Sequence, residues 1–259
     1  MLIIGEKLNS SVAKTLNALN SRDNQYIIDM VKSQAESGAH YLDLNTALTG
    51  ENEIDNMLWL INLTQENSAC GIMIDSPNPD VAAYCVQKIG NRKIIINSIT
   101  LEKKYDGLIE TAKQYNTGIV CLPMKENIPK TAGERLEYAR ELFDKLRCAG
   151  IRNENIYIDI LVEAIAASES GAHTALKTIS LIKENLPGVN TICGLSNISF
   201  GLPNRAKLNG TFLSLALQNG LDSAILDINS KEIKDSLFAS MALLGKDEHF
   251  IEYIKYSRG

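Results

Sequence analysis

Short apolar runs in this 259-residue chain stop, one after another, on a carboxylate or a carboxamide. Glu6 follows Leu2–Ile4, with Asn9 behind it. Asp43 and Asn45 lie in and after Tyr41–Leu44, Asp75 and Ser76 after Gly71–Ile74, and Asn97 and Ser98 after Lys93–Ile96. Asp159 follows Ile156–Ile158, Ser196 and Asn197 follow Thr191–Leu195, and Asp227 follows Ser223–Leu226. Any one of these is as readily an N-cap for the helix that comes next. Seven such ends in one chain exceed what capping needs. Ionised carboxylates accept hydrogen bonds, whereas carboxamides both give and accept. Gathered at one mouth, the set suits a neutral heterocycle with N–H and C=O edges, such as a guanine-like or pterin ring. A Mg²⁺ cluster of Asp43, Asp75 and Asp159 is a second reading, although the intervening amides dilute the charge such a site wants. No lysine is expected at these ends, which argues against a Schiff base.

The elements that must position these residues are legible as alternating short and long patterns. The eight apolar runs are the seven above and Gly118–Leu122. Between them lie segments with apolar residues at helical spacing, such as Ile27, Ile28, Val31 and Ala35, and Leu136, Ala139, Leu142, Phe143 and Leu146. Helix starts are expected at Asn78-Pro79 and at Thr131, where Glu134 three residues on completes a capping box. Gly38, Gly118, Gly150 and Gly220 are expected to end helices. Eight strand–helix units in about 250 residues is the arithmetic of an α/β (β/α)8 TIM barrel, with the strand ends opening on one face. A doubly wound sheet would want a glycine-rich phosphate turn, and neither G-x-G-x-x-G nor G-x-x-x-x-G-K-[ST] occurs. No linker-like or low-complexity tract interrupts residues 1–259, so a single domain is expected.

Composition narrows the function classes. The 26 Lys and Arg against 31 Asp and Glu leave a net charge of −5, which argues against nucleic acid as the main partner. No apolar run reaches the roughly 18–20 residues of a membrane span. The N-terminal run meets Glu6 and Lys7 too soon for a secretory leader, so a cytoplasmic protein is expected. Cys70, Cys85, Cys121, Cys148 and Cys193 include no C-x-x-C pair and are read as buried free thiols. The scattered His40, His173 and His249 make no zinc pattern, and no bound metal is expected.

Taken in order, the residues resemble a known family. Ile3-Ile4-Gly5-Glu6-Lys7-Leu8-Asn9, then YLDLN (41–45), IDS (74–76), INS (96–98), YID (157–159) and GLSNISFG (194–201) with Asn204-Arg205 are similar to the pterin-binding methyltransferases. That family includes methyltetrahydrofolate:corrinoid iron–sulfur protein methyltransferases, the folate module of cobalamin-dependent methionine synthase, and the second methyltransferases of O-demethylase and glycine-betaine systems. The resemblance spans the chain. No single tripeptide is specific, but the ordered set is, GLSNISFG above all. Dihydropteroate synthase shares the fold. It would be expected to show a G-F-G-F-x-K-type stretch at the sixth strand and a late R-x-H pair, and neither is present.

The resemblance implies a TIM barrel that binds tetrahydrofolate or 5-methyltetrahydrofolate as substrate at its mouth. Asp75, Asn97 and Asp159 match the family positions that hydrogen-bond the pterin, and Asn197 matches the asparagine near folate N5. Glu6, Asp43, Ser196 and Arg205 match positions at the rim or behind it. The implied reaction moves a methyl group between N5 and the cobalt of a cobamide, with Asp43 or Asp159 as candidate proton holders. The chain has no D-x-H-x-x-G motif, and one barrel accounts for its length, so the cobamide is expected on a partner corrinoid protein. A homodimer is also implied. Phe200-Gly201-Leu202-Pro203 leans toward the methionine synthase and demethylation types over the acetyl-CoA-pathway type. The competing classes are a folate carrier without catalysis and a Mg²⁺-dependent lyase or aldolase.

Overall fold

The computed structural model describes residues 1–258. β1 (Leu2–Gly5) leads to α1 (Ala13–Ser21) and α2 (Asn24–Glu36), β2 (Tyr41–Asn45) to α3 (Glu53–Asn67), β3 (Gly71–Asp75) to α4 (Pro79–Val86), and β4 (Ile94–Ile99) to α5 (Asp106–Gln114). β5 (Gly118–Cys121) leads to α6 (Ala132–Ala149), β6 (Ile156–Asp159) to α7 (Gly171–Asn185), β7 (Asn190–Gly194) to α8 (Arg205–Gln218), and β8 (Ser223–Leu226) to α9 (Lys231–Leu243) and α10 (Ile251–Ser257). All eight strands are parallel, each pairs with its neighbour in sequence, and β8 closes on β1. This is the expected (β/α)8 barrel. Among the described residues no helix is long and apolar enough to cross a membrane.

Two apolar layers follow from the strand period of two. Ile4, Met73, Ile95, Val120 and Ile192 fill the barrel interior together with Tyr41, Tyr157 and Ile225. Their chain neighbours Ile3, Leu42, Ile72, Ile74, Ile94 and Ile96 point the other way, into the larger core beneath the helices. Ile27 and Val31 of α2, and Leu136, Ala139, Leu142 and Leu146 of α6, are the helical stripes that cover it. The helix starts fall where the side chains predict them. Asn78 accepts from the Asp80 N–H ahead of Pro79, and Thr131 and Glu134 form the reciprocal capping box, a feature worth about 1 kcal/mol.

Two expectations are corrected. Gly38, Gly150 and Gly220 do end helices, in positive-φ conformations, but Gly118 does not. α5 is stopped by Asn116 in the left-handed region, which Asn tolerates. Gly118 opens β5, where a Cβ would stand 2.8 Å from Tyr157 and 2.9 Å from Ile95. The glycine therefore makes room inside the barrel. Four of the five free cysteines are buried as expected, but Cys148, near the end of α6, is exposed.

Candidate active site at the barrel mouth

The same alternation builds the site. Two residues beyond each inward apolar side chain lies the next inward position, now above the core: Glu6 after Ile4, Asp43 after Tyr41, Asp75 after Met73, Asn97 after Ile95, Asp159 after Tyr157, Gly194 after Ile192 and Asp227 after Ile225. β5 offers nothing polar there, and β7 offers a glycine. In register, Asn45 stands beside Asp75 and Asp75 beside Asn97, while Asp43 is level with Met73, one step deeper. β4 shifts register against β5 between Ile96 and Ile99, and the Asn97–Ser98 peptide in that stretch is cis.

A cavity of about 700 Å³ opens at this end, in the size range of small-molecule sites. Glu6, Asp43, Asp75, Asn97, Asp159, Ser196, Asn197 and Arg205 all line it. The eight site residues expected from the family resemblance are thus brought to one cavity, from positions up to 199 apart in the chain, whereas Asn45, Ser76 and Ser98 of the polar strand ends do not line it.

The acids differ in how they are held. Asp43 is 2% exposed and its Oδ1 has no hydrogen-bond partner. Burial first, then the charge of Asp75, pushes its carboxyl well above the ordinary range, with Glu6 adding to the rise and the Asn97 and Asn9 amides opposing it. Asp75 accepts from Asn45 Nδ2 at 2.8 Å, and burial with a contribution from Glu53 raises it to about 6. Asp159 accepts the Leu161 N–H at 2.7 Å. Burial lifts it to about 6 against the pull of that N–H and of Arg135. Glu6 is also raised by burial, in spite of the Ser196 hydroxyl and Lys7. A pocket of acids poised between charged and neutral forms is a proton-handling environment.

Asn197 lies in the 3₁₀ turn Leu195–Ser199, which has no side-chain cap, and Asn204 rather than Asn197 precedes α8. Its amide nitrogen lies 3.1 Å from where a Cβ on Gly194 would be, so the missing side chain there lets the carboxamide lie against β7. The capping alternative for Asn197 is therefore set aside. Arg205 donates to the Ser196 carbonyl at 2.8 Å and to Ser199 Oγ at 3.1 Å, which fixes the turn that presents Asn197.

Sequence reasoning missed several residues. Contrary to the expectation of no lysine, Lys7 lines the cavity, ion-paired to Asp227 at 2.7 Å. An ammonium held in such a pair is no free amine nucleophile, so the argument against a Schiff base survives on different ground. Asn45, already noted as a strand-end carboxamide, buttresses Asp75, whereas Asn209 of α8, which the sequence did not single out, lines the wall with its Oδ1 buried and unpartnered. Phe200, exposed at the rim, stacks near the Arg205 guanidinium at 5.9 Å. Among the described residues no three His, Cys, Asp or Glu side chains are placed to hold a metal ion.

A parallel barrel whose mouth presents carboxylates and carboxamides around one cavity is the arrangement that the family resemblance implies for a pterin-binding barrel. The description "Pterin binding enzyme" matches residues 5–227. The chain is 30% identical to a methylcorrinoid:tetrahydrofolate methyltransferase of Eubacterium limosum, across 100% of this chain and 96% of that one. It is 32% identical to methionine synthase of Mycobacterium tuberculosis across 87% of this chain, which corresponds to 20% of that longer protein. Among solved structures, dihydropteroate synthase of Yersinia pestis superposes with a TM-score of 0.71 at 14% identity, covering 95% and 93% of the two chains. That of Xanthomonas albilineans gives 0.69 at 17% identity over 94% and 93%. These two likenesses concern the fold alone. The chain belongs to the pterin-binding enzyme family, on its methyltransferase branch.

Proposed function

We propose that this protein transfers a methyl group between N5 of tetrahydrofolate and the cobalt of a cobamide carried by a partner corrinoid protein. The carrying observation is the meeting, in one cavity, of Asp75, Asn97 and Asp159 with the carboxamide of Asn197, a side chain that serves no cap. The full-length likeness to a methylcorrinoid:tetrahydrofolate methyltransferase supports the same reading. Within it we take the one-carbon chemistry to be of the O-demethylase or glycine-betaine type, the direction in which Phe200-Gly201-Leu202-Pro203 leans.

In this reading Asp75 and Asp159 accept from the pterin's 2-amino and N3–H groups, while Asn97 meets its O4 and ring nitrogens. When tetrahydrofolate is the acceptor, the N5 lone pair forms the new C–N bond and the cobalt–carbon pair remains with cobalt. The N5 proton then leaves through the polar network. In reverse, N5 must gain a proton or a strong hydrogen bond before it can leave. Asn197 gives the hydrogen bond but no proton. Asp43 and Asp159, both buried and both held above the usual carboxylate range, are the candidate proton holders. Glu6, through Ser196, and Arg205 hold the turn that carries Asn197.

The whole of 1–259 is taken as one pterin-binding domain, acting as a homodimer in the cytoplasm. Single-turnover transfer from a methylated cob(III)amide to tetrahydrofolate tests the reading directly. Tight folate binding without any transfer would instead make this a folate carrier, and dependence on added Mg²⁺ would favour a lyase or aldolase. Sedimentation as a 28.5 kDa species would remove the dimer.

A further inference from the structure

Arg135 belongs to α6, in the outer ring of helices, yet its side chain is 0% exposed. Its Nε–H donates to the Pro129 carbonyl at 3.0 Å. Nη1 donates to the carbonyls of Ile160 at 2.8 Å and Leu161 at 2.7 Å, and Nη2 to Glu163 Oε2 at 2.6 Å. These four bonds use four of the five guanidinium donors, and three of them end on backbone oxygen. They tie the loop after β5 to the loop after β6. The second loop leaves β6 directly after Asp159.

Leu161 adopts a φ of 54°, in the left-handed region that side chains other than glycine seldom take. Its N–H is the donor to Asp159 Oδ1. Such a backbone persists only where its surroundings over-determine it. Here the surroundings are the Nη1 fork on the two carbonyls flanking the turn. A lysine could not reach the same set, since it lacks the planar fork. Burying a guanidinium is a poor route to stability, because desolvation opposes the pairing with Glu163. The arrangement makes better sense as geometry imposed on the residue next door.

We propose that Arg135 is a positioning residue for Asp159, aiming its carboxylate into the cavity through the Ile160 and Leu161 carbonyls and biasing it toward the ionised form that a pterin N–H edge requires. The inference rests on the reading that Asp159 binds the pterin. Arg135 acts on Asp159 from α6. The buried Cys193 thiol of β7 lies within electrostatic reach of Asp159 although it points to the outer core, as does Cys121 of β5. Asp43, Asp75 and Glu6 share the cavity. Arg135 is the cation acting on Asp159, and Glu163 is its ion-pair partner at 2.6 Å.

The test is calorimetric titration with 5-methyltetrahydrofolate between about pH 5 and 8, on wild type, Arg135→Met and Glu163→Gln. In the Glu163→Gln variant the new amide oxygen would still accept from Nη2, so the loop contacts stay and only a charge is lost. Arg135→Met should move the half-point of binding to higher pH, on the order of one unit, and Glu163→Gln, which removes the carboxylate paired with Arg135, should move it the opposite way by a smaller amount. Asp75 also titrates in this range, so the shifts must vanish in an Asp159→Asn background. If Arg135→Met does not fold, Glu163→Gln decides alone. A Glu163→Gln half-point equal to wild type, whatever its melting temperature, would overturn the proposal and leave Arg135 a structural residue. A wild type that binds no folate at any pH would remove the pterin reading itself, a separate failure.

Discussion

Ser196 reaches across the barrel mouth to Glu6, its hydroxyl 2.9 Å from Oε1 and 2.8 Å from Oε2, although 190 positions separate the two in the chain. They follow β7 and β1, which are not neighbours; β8 lies between them. The contact therefore spans a strand and ties the turn that bears Asn197 to the first loop of the barrel. Ser196→Ala should leave a half-buried Glu6 short of its donor and loosen that turn. Single-turnover transfer should slow while folate affinity changes little, since Asp75, Asn97 and Asp159 are untouched. Equal losses in affinity and rate would show that Ser196 acts on binding instead.

Asp75→Ala removes an acceptor that Asn45 already orients. Pterin donors buried against the gap would be left unpaired, at a cost of roughly 1–3 kcal/mol in binding. Calorimetry with 5-methyltetrahydrofolate in the absence of added metal measures it, and wild-type affinity in the variant would take Asp75 out of the site.

The raised acids also fix how stability changes with pH. Asp159 moves from an ordinary value of 3.8 to about 6 on folding, so between those values the native state binds more protons than the unfolded chain. Stability from this group is complete below about pH 4 and is lost as pH rises through about 6. At neutral pH the carboxylate is thus a burden of about 1–3 kcal/mol. Asp159→Asn should raise the melting temperature of the free protein at about pH 7.5 and make little difference at about pH 4. A variant that melts lower at the higher pH would contradict the sign.

Much of this was readable beforehand because one rule serves two purposes. Period-two alternation puts Met73 in the interior, and the same count puts Asp75 above it; Ile95 and Asn97 repeat the pattern. The residues that escaped were those whose role depends on a partner from elsewhere. Arg135 sits in a charged helix and reads as a solvated side chain until the loop after β6 folds over it. Lys7 stands next to Glu6 in the sequence, but only closure of β8 on β1 brings Asp227 to it. Gly118 has the spacing of a helix stop, and its true neighbours, Tyr157 and Ile95, come from adjacent strands.

Gly118→Ala follows from that last point. A methyl group 2.8 Å from the Tyr157 ring and 2.9 Å from Ile95 forces the interior layer apart, and overpacking of this kind costs typically about 1–3 kcal/mol. Chemical denaturation should show the loss. An unchanged midpoint would mean that the Tyr157 ring can move aside at no cost.

Asn197 carries the sharpest prediction. It caps neither the 3₁₀ turn it lies in nor α8 beyond it, and its carboxamide faces the cavity. Local structure therefore gives no reason for Asn197→Asp to unfold the turn, which Arg205 holds through the Ser196 carbonyl and the Ser199 hydroxyl. In the proposed function, what the substitution changes is the hydrogen-bonding sense of the group at N5. A donor amide becomes an acceptor, and one more carboxylate joins a mouth already lined by Glu6, Asp43, Asp75, Asp159 and Asp227. A donor lost to a transition state that bears charge costs on the order of 3 kcal/mol, or roughly a hundredfold in rate. The same contact is made in the ground state, so folate affinity should fall as well. Single-turnover transfer at saturating folate separates the two effects. A variant that keeps its fold and moves methyl groups at close to the wild-type rate would end the assignment of Asn197 to N5.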